Sequence, residues 1–252
     1  MIVTKKGLVL RVRLGGEKGK YIDILTDNKG IIEVFVRCSK KINGKHIAAT
    51  QLFAYSNFCL MEKEKRYYLE SAEPIHIFYN LRNSISKLAL ASYFLDLIHY
   101  TVPKDNLQQN EILRLILNTL YYLTEDTRDE AFLKSVFELR LMSELGMMPD
   151  VIMCPVCYEH TPKELVFSVN RGKFYCKNCY ESIENDFSFF MPVGGLMAIR
   201  HIILTDISRM FQFKISNKIQ NILSAFTEEF VHYNLDYFPR TLIYYKSIIK
   251  KN

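Results

Sequence analysis

Two Cys-x-x-Cys pairs, Cys154-Pro-Val-Cys157 and Cys176-Lys-Asn-Cys179, stand 18 residues apart. Thiolates at this spacing suit a tetrahedral metal ion, and zinc above all. Each pair makes a tight knuckle that offers two sulfurs to one side. The intervening segment is long enough to fold a small hairpin that brings the knuckles face to face. Four protein ligands leave no coordination position for water or substrate, so the ion would hold structure together and would not catalyse. The expectation is one structural Zn2+ on Cys154, Cys157, Cys176 and Cys179.

Other chemistries fit these cysteines less well. Cys154-Pro-Val-Cys157 alone has the form of a redox dithiol, but that leaves the second pair unexplained. Two disulfides would suit an exported protein. A zinc deaminase requires a His-x-Glu ahead of its Pro-Cys-x-x-Cys. None of the six histidines has a glutamate two residues later, and Pro155 lies inside the first pair. Cys38 and Cys59 fall in apolar, strand-like runs and read as buried, inert thiols.

The elements that must carry such a centre follow from composition and periodicity. The chain has 252 residues, 49% hydrophobic and 24% charged, which suits one or two soluble globular domains. No apolar run reaches the roughly 18 residues of a membrane span. The opening residues, Met1-Ile-Val-Thr-Lys-Lys6, lack the apolar core of a signal peptide, so a cytoplasmic protein with reduced thiols is expected. Residues 1–50 hold eleven Lys/Arg against four Asp/Glu, whereas the remainder holds 22 against 23. A basic front joined to a near-neutral remainder points to a polyanion partner. The alternative is a solubilising charged face.

Residues 1–75 have strand character over 7–13, 21–26, 30–36, 51–61 and 66–72, with Asp27-Asn-Lys-Gly30 as a turn. About five short strands with turns between them predict a small closed barrel of the OB type, whose open face binds single strands. Beyond residue 78 the apolar period lengthens to that of a helix. Helices are predicted over 80–100, 107–123 and up to Leu145, the last opened by a Thr127-Arg-Asp-Glu130 capping box and closed by Gly146. Two more are predicted over 194–213 and 216–235, then a short basic helix or tail. The fold class is therefore α+β: an OB-fold barrel over 1–77, then a helical domain over 78–252 with the zinc module inserted at about 151–185. Most aromatic residues are core; Tyr21, Phe35 and Phe53 could stack on bases where the barrel exposes them, with packing the favoured reading of each taken alone.

This order of parts resembles the RecO family of recombination mediators along essentially the whole chain. The resemblance rests on Gly7-Leu-Val-Leu-Arg11 with Leu25-Thr26 and Gly30, on Pro149-Asp-Val-Ile-Met-Cys-Pro-Val-Cys157 with Phe167-Ser-Val169 and Cys176-Lys-Asn-Cys179, and on Tyr244-Tyr-Lys-Ser247. Two places depart from it. Val36-Arg-Cys-Ser-Lys-Lys41 lacks the glycine of the family's Ala-Arg-Gly-Ala-Arg-like stretch, and Tyr245 replaces a leucine. The resemblance implies a non-enzymatic protein that binds single- and double-stranded DNA and anneals complementary strands. It also implies work with RecR to replace single-strand-binding protein by RecA, and recognition of the acidic tail of single-strand-binding protein by the helical domain. Arg114, Arg140, Arg200 and Lys246 are candidate cations for that tail.

On the barrel, Lys5, Lys6, Arg11, Arg13, Lys18, Lys20, Arg37, Lys40, Lys41 and Lys45 are the expected phosphate contacts. Such contacts read charge and no sequence. Lys163, Arg171, Lys173 and Lys177 are offset by Glu159, Glu164, Glu181 and Glu184 and read as a solvated face. A rival reading with the same parts is a zinc-ribbon accessory factor of transcription or translation. The sequence holds no P-loop, Gly-x-Ser-x-Gly, His-Glu-x-x-His or dinucleotide glycine motif, so no enzyme is expected.

Overall fold

The computed structural model describes residues 1–16, 19–37, 44–104, 110–180 and 187–250, with the side chain of Lys45 excepted. Its elements in chain order are β1 (Ile2–Leu14), β2 (Gly19–Thr26), β3 (Gly30–Arg37), α1 (Gly44–Ala49), β4 (Ala54–Lys63), β5 (Arg66–Ile77), α2 (Ile85–Thr101), α3 (Asn110–Glu125), α4 (Glu130–Glu144), β6 (Glu164–Ser168), β7 (Lys173–Cys176), α5 (Lys177–Tyr180), β8 (Ser188–Pro192), α6 (Val193–Leu204), α7 (Asn217–Leu235) and α8 (Arg240–Ile249). They form two compact units, one of residues 1–125 and 239–252, the other of residues 126–238. Compactness thus groups α2, α3 and α8 with the barrel, although strand character itself ends at Ile77.

In the first unit the strands close in the order β1-β2-β3-β5-β4, the OB arrangement. β1 serves two neighbours. Its first half pairs with β4 and its second half with β2, with an irregularity between Val9 and Arg11 that lets the strand curl. A short parallel pairing, Val34 with Tyr67 and Phe35 with Tyr68, completes the closure. The interior is filled by Val9, Ile22, Ile24, Ile32, Val34, Phe58 and Leu60. Alternation explains this set, because every second residue of a strand points to one face. Gly7 is needed where β1 crosses β2: a β-carbon there would lie 2.3 Å from Ile24 Cγ2. Gly30 takes φ 61° at the end of the β2–β3 turn, a conformation costly for other residues.

Half of the barrel's outer face is also apolar. Leu8, Leu10, Leu25 and Ile31 are buried, and α2 and α3 pack on this side against β1 and β2. α8 lies along α2, where Thr241 Oγ1 donates to Asp96 Oδ2 at 3.0 Å.

Some expected boundaries move. The fourth strand begins at Ala54 and not at 51, because Phe53 adopts φ 67° in the turn that enters it. Phe53 is only 1% exposed, so it belongs to the core and cannot stack on a base. Cys59 is half-buried on β4, not fully buried, and Cys38 lies outside the described residues.

In the second unit, α4 is capped two residues later than the expected capping box. Asp129, not Thr127, is the N-cap, and its carboxylate accepts from the amides of Ala131 and Phe132 at 2.9 and 3.1 Å. An anion at this end also meets the positive pole of the helix. Gly146 ends α4 as expected, at φ 80°, with Met147 N donating to Met142 O and Gly146 N to Ser143 O. α6 stops at Leu204, short of residue 213. Asp206 there binds the amide and hydroxyl of Ser208, which favours a turn over continued helix. α4, α6 and α7 pack with a three-stranded sheet of order β7-β6-β8. Phe167 sits 4.5 Å, centroid to centroid, from Phe226 at the centre of that core.

Candidate functional site

Two arrangements of chemistry-bearing residues emerge, one in each unit. In the second unit, β6 and β7 form the hairpin between the knuckles, turning at Gly172 with φ 61°. The first knuckle closes when Tyr158 N donates to Cys154 O, with Tyr158 at φ 62° and Cys154 N donating to Glu159 O. The second knuckle runs from the end of β7 into the single helical turn of α5. The four sulfurs thereby meet: Cys157 Sγ lies 3.1 Å from Cys176 Sγ, which is 3.3 Å from Cys179 Sγ and 3.5 Å from Cys154 Sγ.

All are free thiols, and these separations are well beyond the roughly 2.05 Å of a disulfide bond. They approach the edge of about 3.8 Å that follows from metal–sulfur bonds near 2.3 Å in a tetrahedron. The donor set therefore fits a metal ion. Burial would raise the Cys154 thiol, but amide hydrogen bonds from Cys157, Cys176 and Val156 outweigh it and lower its pKa to about 6. One ligand is thus held ready as the thiolate that metal binding needs.

Arg200 of α6 ties this module down. Its guanidinium donates to the carbonyls of Val151, Ile152 and His160 at 2.7, 2.7 and 2.6 Å. Arg140 of α4 similarly donates to the carbonyls of Ile202, Ile203 and Thr205, covering the open end of α6. Both therefore have structural work within their own unit. Arg114 pairs with Glu111 one helical turn away. Lys177 pairs with Glu164, in keeping with a solvated face there.

The second arrangement is on the open half of the barrel's outer face. Tyr21 of β2 is opposite Phe35 of β3, and Phe35 is opposite Tyr68 of β5. Their rings form a row across three strands, with centroids 5.0 and 6.2 Å apart. Arg13 and Arg37 each lie 6.0 Å from an end of this row, over Tyr21 and Tyr68. The rings border a groove of about 660 Å³ to which Lys65, Arg66 and Lys104 add cations and Glu33 adds an anion. Lys65 projects from the β4–β5 turn, where Glu64 and Lys65 take φ 50° and 61°. The left-handed pair matches the twist of a two-residue hairpin turn.

Arg13 is held at the rim by two carboxylates. Its Nη2 donates to Asp23 Oδ1 at 2.9 Å and to Glu33 Oε2. The Glu33 hydrogen bond, chiefly, keeps the guanidinium more firmly protonated than usual. Asp23 is only 1% exposed and also meets His99 Nε2 of α2 at 3.0 Å. Burial pushes the Asp23 carboxyl up, but its bonds to His99 and Arg13 outweigh that and hold its pKa below the ordinary value.

The expected phosphate contacts do not all share this place. Arg11, Arg13 and Arg37 lie at the ring end of the barrel. Lys5 and Lys6 lie toward the other end of β1, roughly 23–26 Å along the strand from Arg13 at about 3.3 Å per residue. Lys5 is bonded to Asn28 Oδ1 at 2.6 Å, and Lys20 to the Thr50 carbonyl at 3.0 Å. Lys18, Lys40, Lys41 and the Lys45 side chain lie outside the described residues. Sequence reading missed Tyr68, Lys65, Arg66 and Lys104. The Lys63-Glu-Lys-Arg66 run between two strands is the signal that could have found the middle two. No helix among the described residues is long and apolar enough to cross a membrane.

Barrel topology, helical domain and four-thiol centre together define a class: an OB-barrel protein whose helical domain carries a four-cysteine cluster able to hold a metal ion. Residues 1–78 match the family described as "Recombination protein O N terminal", and residues 82–242 match "Recombination protein O C terminal". The chain belongs to the recombination protein O family, whose members act in DNA repair and recombination. It is similar to the "DNA repair protein RecO" of Acetivibrio thermocellus, 28% identical over 230 residues that cover 91% of this chain and 90% of the relative. The "DNA repair protein RecO" of Alkaliphilus metalliredigens is 25% identical, covering 94% and 95%. That of Caldicellulosiruptor saccharolyticus is 26% identical, covering 98% of each.

Proposed function

We propose that this protein is a non-enzymatic DNA mediator. It binds single- and double-stranded DNA through the barrel of residues 1–77, anneals complementary strands and, with RecR, helps load RecA onto DNA coated by single-strand-binding protein. The observation that carries the reading is the row Tyr21–Phe35–Tyr68 between Arg13 and Arg37. Rings offer sequence-tolerant stacking to unpaired bases, and guanidinium groups at their edges suit the backbone phosphates. Arg11, Lys65, Arg66 and Lys104 extend the cationic border. Lys5, Lys6, Lys18, Lys20, Lys40, Lys41 and Lys45 make the wider approach to the barrel attractive to a second strand. Annealing follows when two polyanions are neutralised together while most base edges stay free to pair.

The metal is zinc, and its role is structural. Cys154, Cys157, Cys176 and Cys179 would hold it, and when bound it supplies cross-linking of the two knuckles. The compartment is the bacterial cytoplasm, which suits four free thiols.

The test is a fluorescence annealing assay on strands coated with single-strand-binding protein, together with affinity measured against salt. About six phosphate contacts on a single strand should give a log–log slope near −4. A slope near zero, or no annealing, would overturn the proposal.

A further inference from the structure

The four thiols of the metal centre differ in access. Cys154 is buried, Cys176 and Cys179 are partly covered, and Cys157 is exposed. The same exposed sulfur lies 3.1 Å from Cys176 Sγ. It sits in the knuckle whose flanking carbonyls, Ile152 and His160, are gripped by Arg200. A reagent small enough to reach the centre from solvent therefore meets Cys157 first, and Cys176 Sγ, 3.1 Å away, is placed to answer.

Resting on the zinc reading above, we propose that Cys157 is a peroxide-oxidation site and that the clasp opens through a Cys157–Cys176 disulfide. The Cys157 thiolate attacks one oxygen of hydrogen peroxide. A sulfur–oxygen bond forms, the oxygen–oxygen bond breaks, and hydroxide leaves, giving a sulfenic acid. The Cys176 thiolate then attacks that sulfur and displaces a second hydroxide as the disulfide forms. Two thiolates lose two electrons in all, and peroxide gains them. Two of four ligands are consumed, the coordination sphere is broken, and the segment held by Arg200 loses its internal staple. Cys154 and Cys179 remain as thiols.

The experiment uses the full chain loaded with zinc, with metal content measured before treatment. Hydrogen peroxide is added, released zinc is followed with a chromogenic chelator, and thiols are mapped by peptide mass spectrometry. The expected result is loss of about one zinc per chain, the full complement of a four-thiolate site, together with a 157–176 disulfide. Cys157→His is the control, because three cysteines and a histidine also make a zinc site but leave no thiol at the exposed position. It should load zinc and keep it in peroxide. A wild-type chain that carries no zinc would overturn the zinc reading and this proposal with it. A loaded chain that keeps its zinc, or that oxidises at a different pair, or a Cys157→His chain that releases zinc as readily as wild type, would overturn this proposal alone.

Discussion

His99 Nε2 of α2 stands 3.0 Å from Asp23 Oδ2 on the second barrel strand, and the other oxygen of that buried carboxylate holds Arg13. A helix covering one half of the barrel is thus linked, through one carboxylate, to the cation that borders the ring row on the other half. Asp23→Asn should cost about 1–3 kcal/mol, the range for disrupting the hydrogen bonds of a buried group whose partners are partly exposed. The folded pKa of Asp23 is depressed, so this stabilisation is complete above about pH 4, the unfolded value, and disappears as pH falls through the folded one. Urea unfolding of both proteins at several pH values checks it. A difference that does not shrink in acid would contradict the assignment.

Glu33 occupies the exposed side of Arg13. A phosphate approaching the rim has to compete with it. Glu33→Gln should tighten single-strand binding several-fold and steepen the salt slope by roughly 0.7, the increment for one added contact. Titrations at three salt concentrations measure both. Unchanged affinity would remove Arg13 from the phosphate path.

The rings make a different prediction from the cations. Tyr21→Ala or Tyr68→Ala should weaken binding to single strands by about 1–3 kcal/mol while leaving the salt slope unchanged. Duplex binding should change far less, since paired bases are already stacked. Equal losses on both substrates would show that the rings serve packing only.

Removing the metal by chelation, or Cys154→Ser or Cys176→Ser, should melt the unit of residues 126–238 at lower temperature and leave the barrel transition in place. Metal binding in small modules is worth on the order of 10–16 kcal/mol, far more than a domain can spare. Calorimetry with circular dichroism resolves the two transitions. A single transition, unmoved by chelator, would refute the staple.

A buried charge network joins α4 to α7. Lys134 Nζ, 2% exposed as a residue, lies 3.0 Å from both Glu138 Oε1 and Glu228 Oε2, and Thr227 donates to Glu138 Oε2 at 2.6 Å. Lys134→Met alone should cost about 3–5 kcal/mol, because it strands a buried carboxylate. The double change Lys134→Met with Glu138→Leu should recover much of that loss. Chemical denaturation of the single and double variants tests it.

Much of this was readable one segment at a time. Alternation placed the strands, and Gly146 and Gly30 stood where a left-handed residue was needed. Local reading failed where two nearby groups offered the same service, as Thr127 and Asp129 both could cap α4. It failed again where a side chain's surroundings came from distant chain. Whether Phe53 packed or stacked stayed open until its turn folded it inward, and Arg200 was one of four candidate cations for an acidic tail until three carbonyls from residues 151–160 met it. Lys134 carries no mark of burial in its own stretch.

The sequence by itself determined that two thiol pairs could share one ion, that a basic β-rich front precedes a helical remainder, and which residues of each strand share a face. These are properties of spacing and period, which act over a few residues. Tertiary structure alone decided which half of the barrel face helices cover and which half stays open. It alone set Tyr21, Phe35 and Tyr68 side by side and made Asp23 the partner of both Arg13 and His99. Those relations depend on strand register and helix docking, and both are set by burial of apolar surface from parts of the chain far apart in sequence.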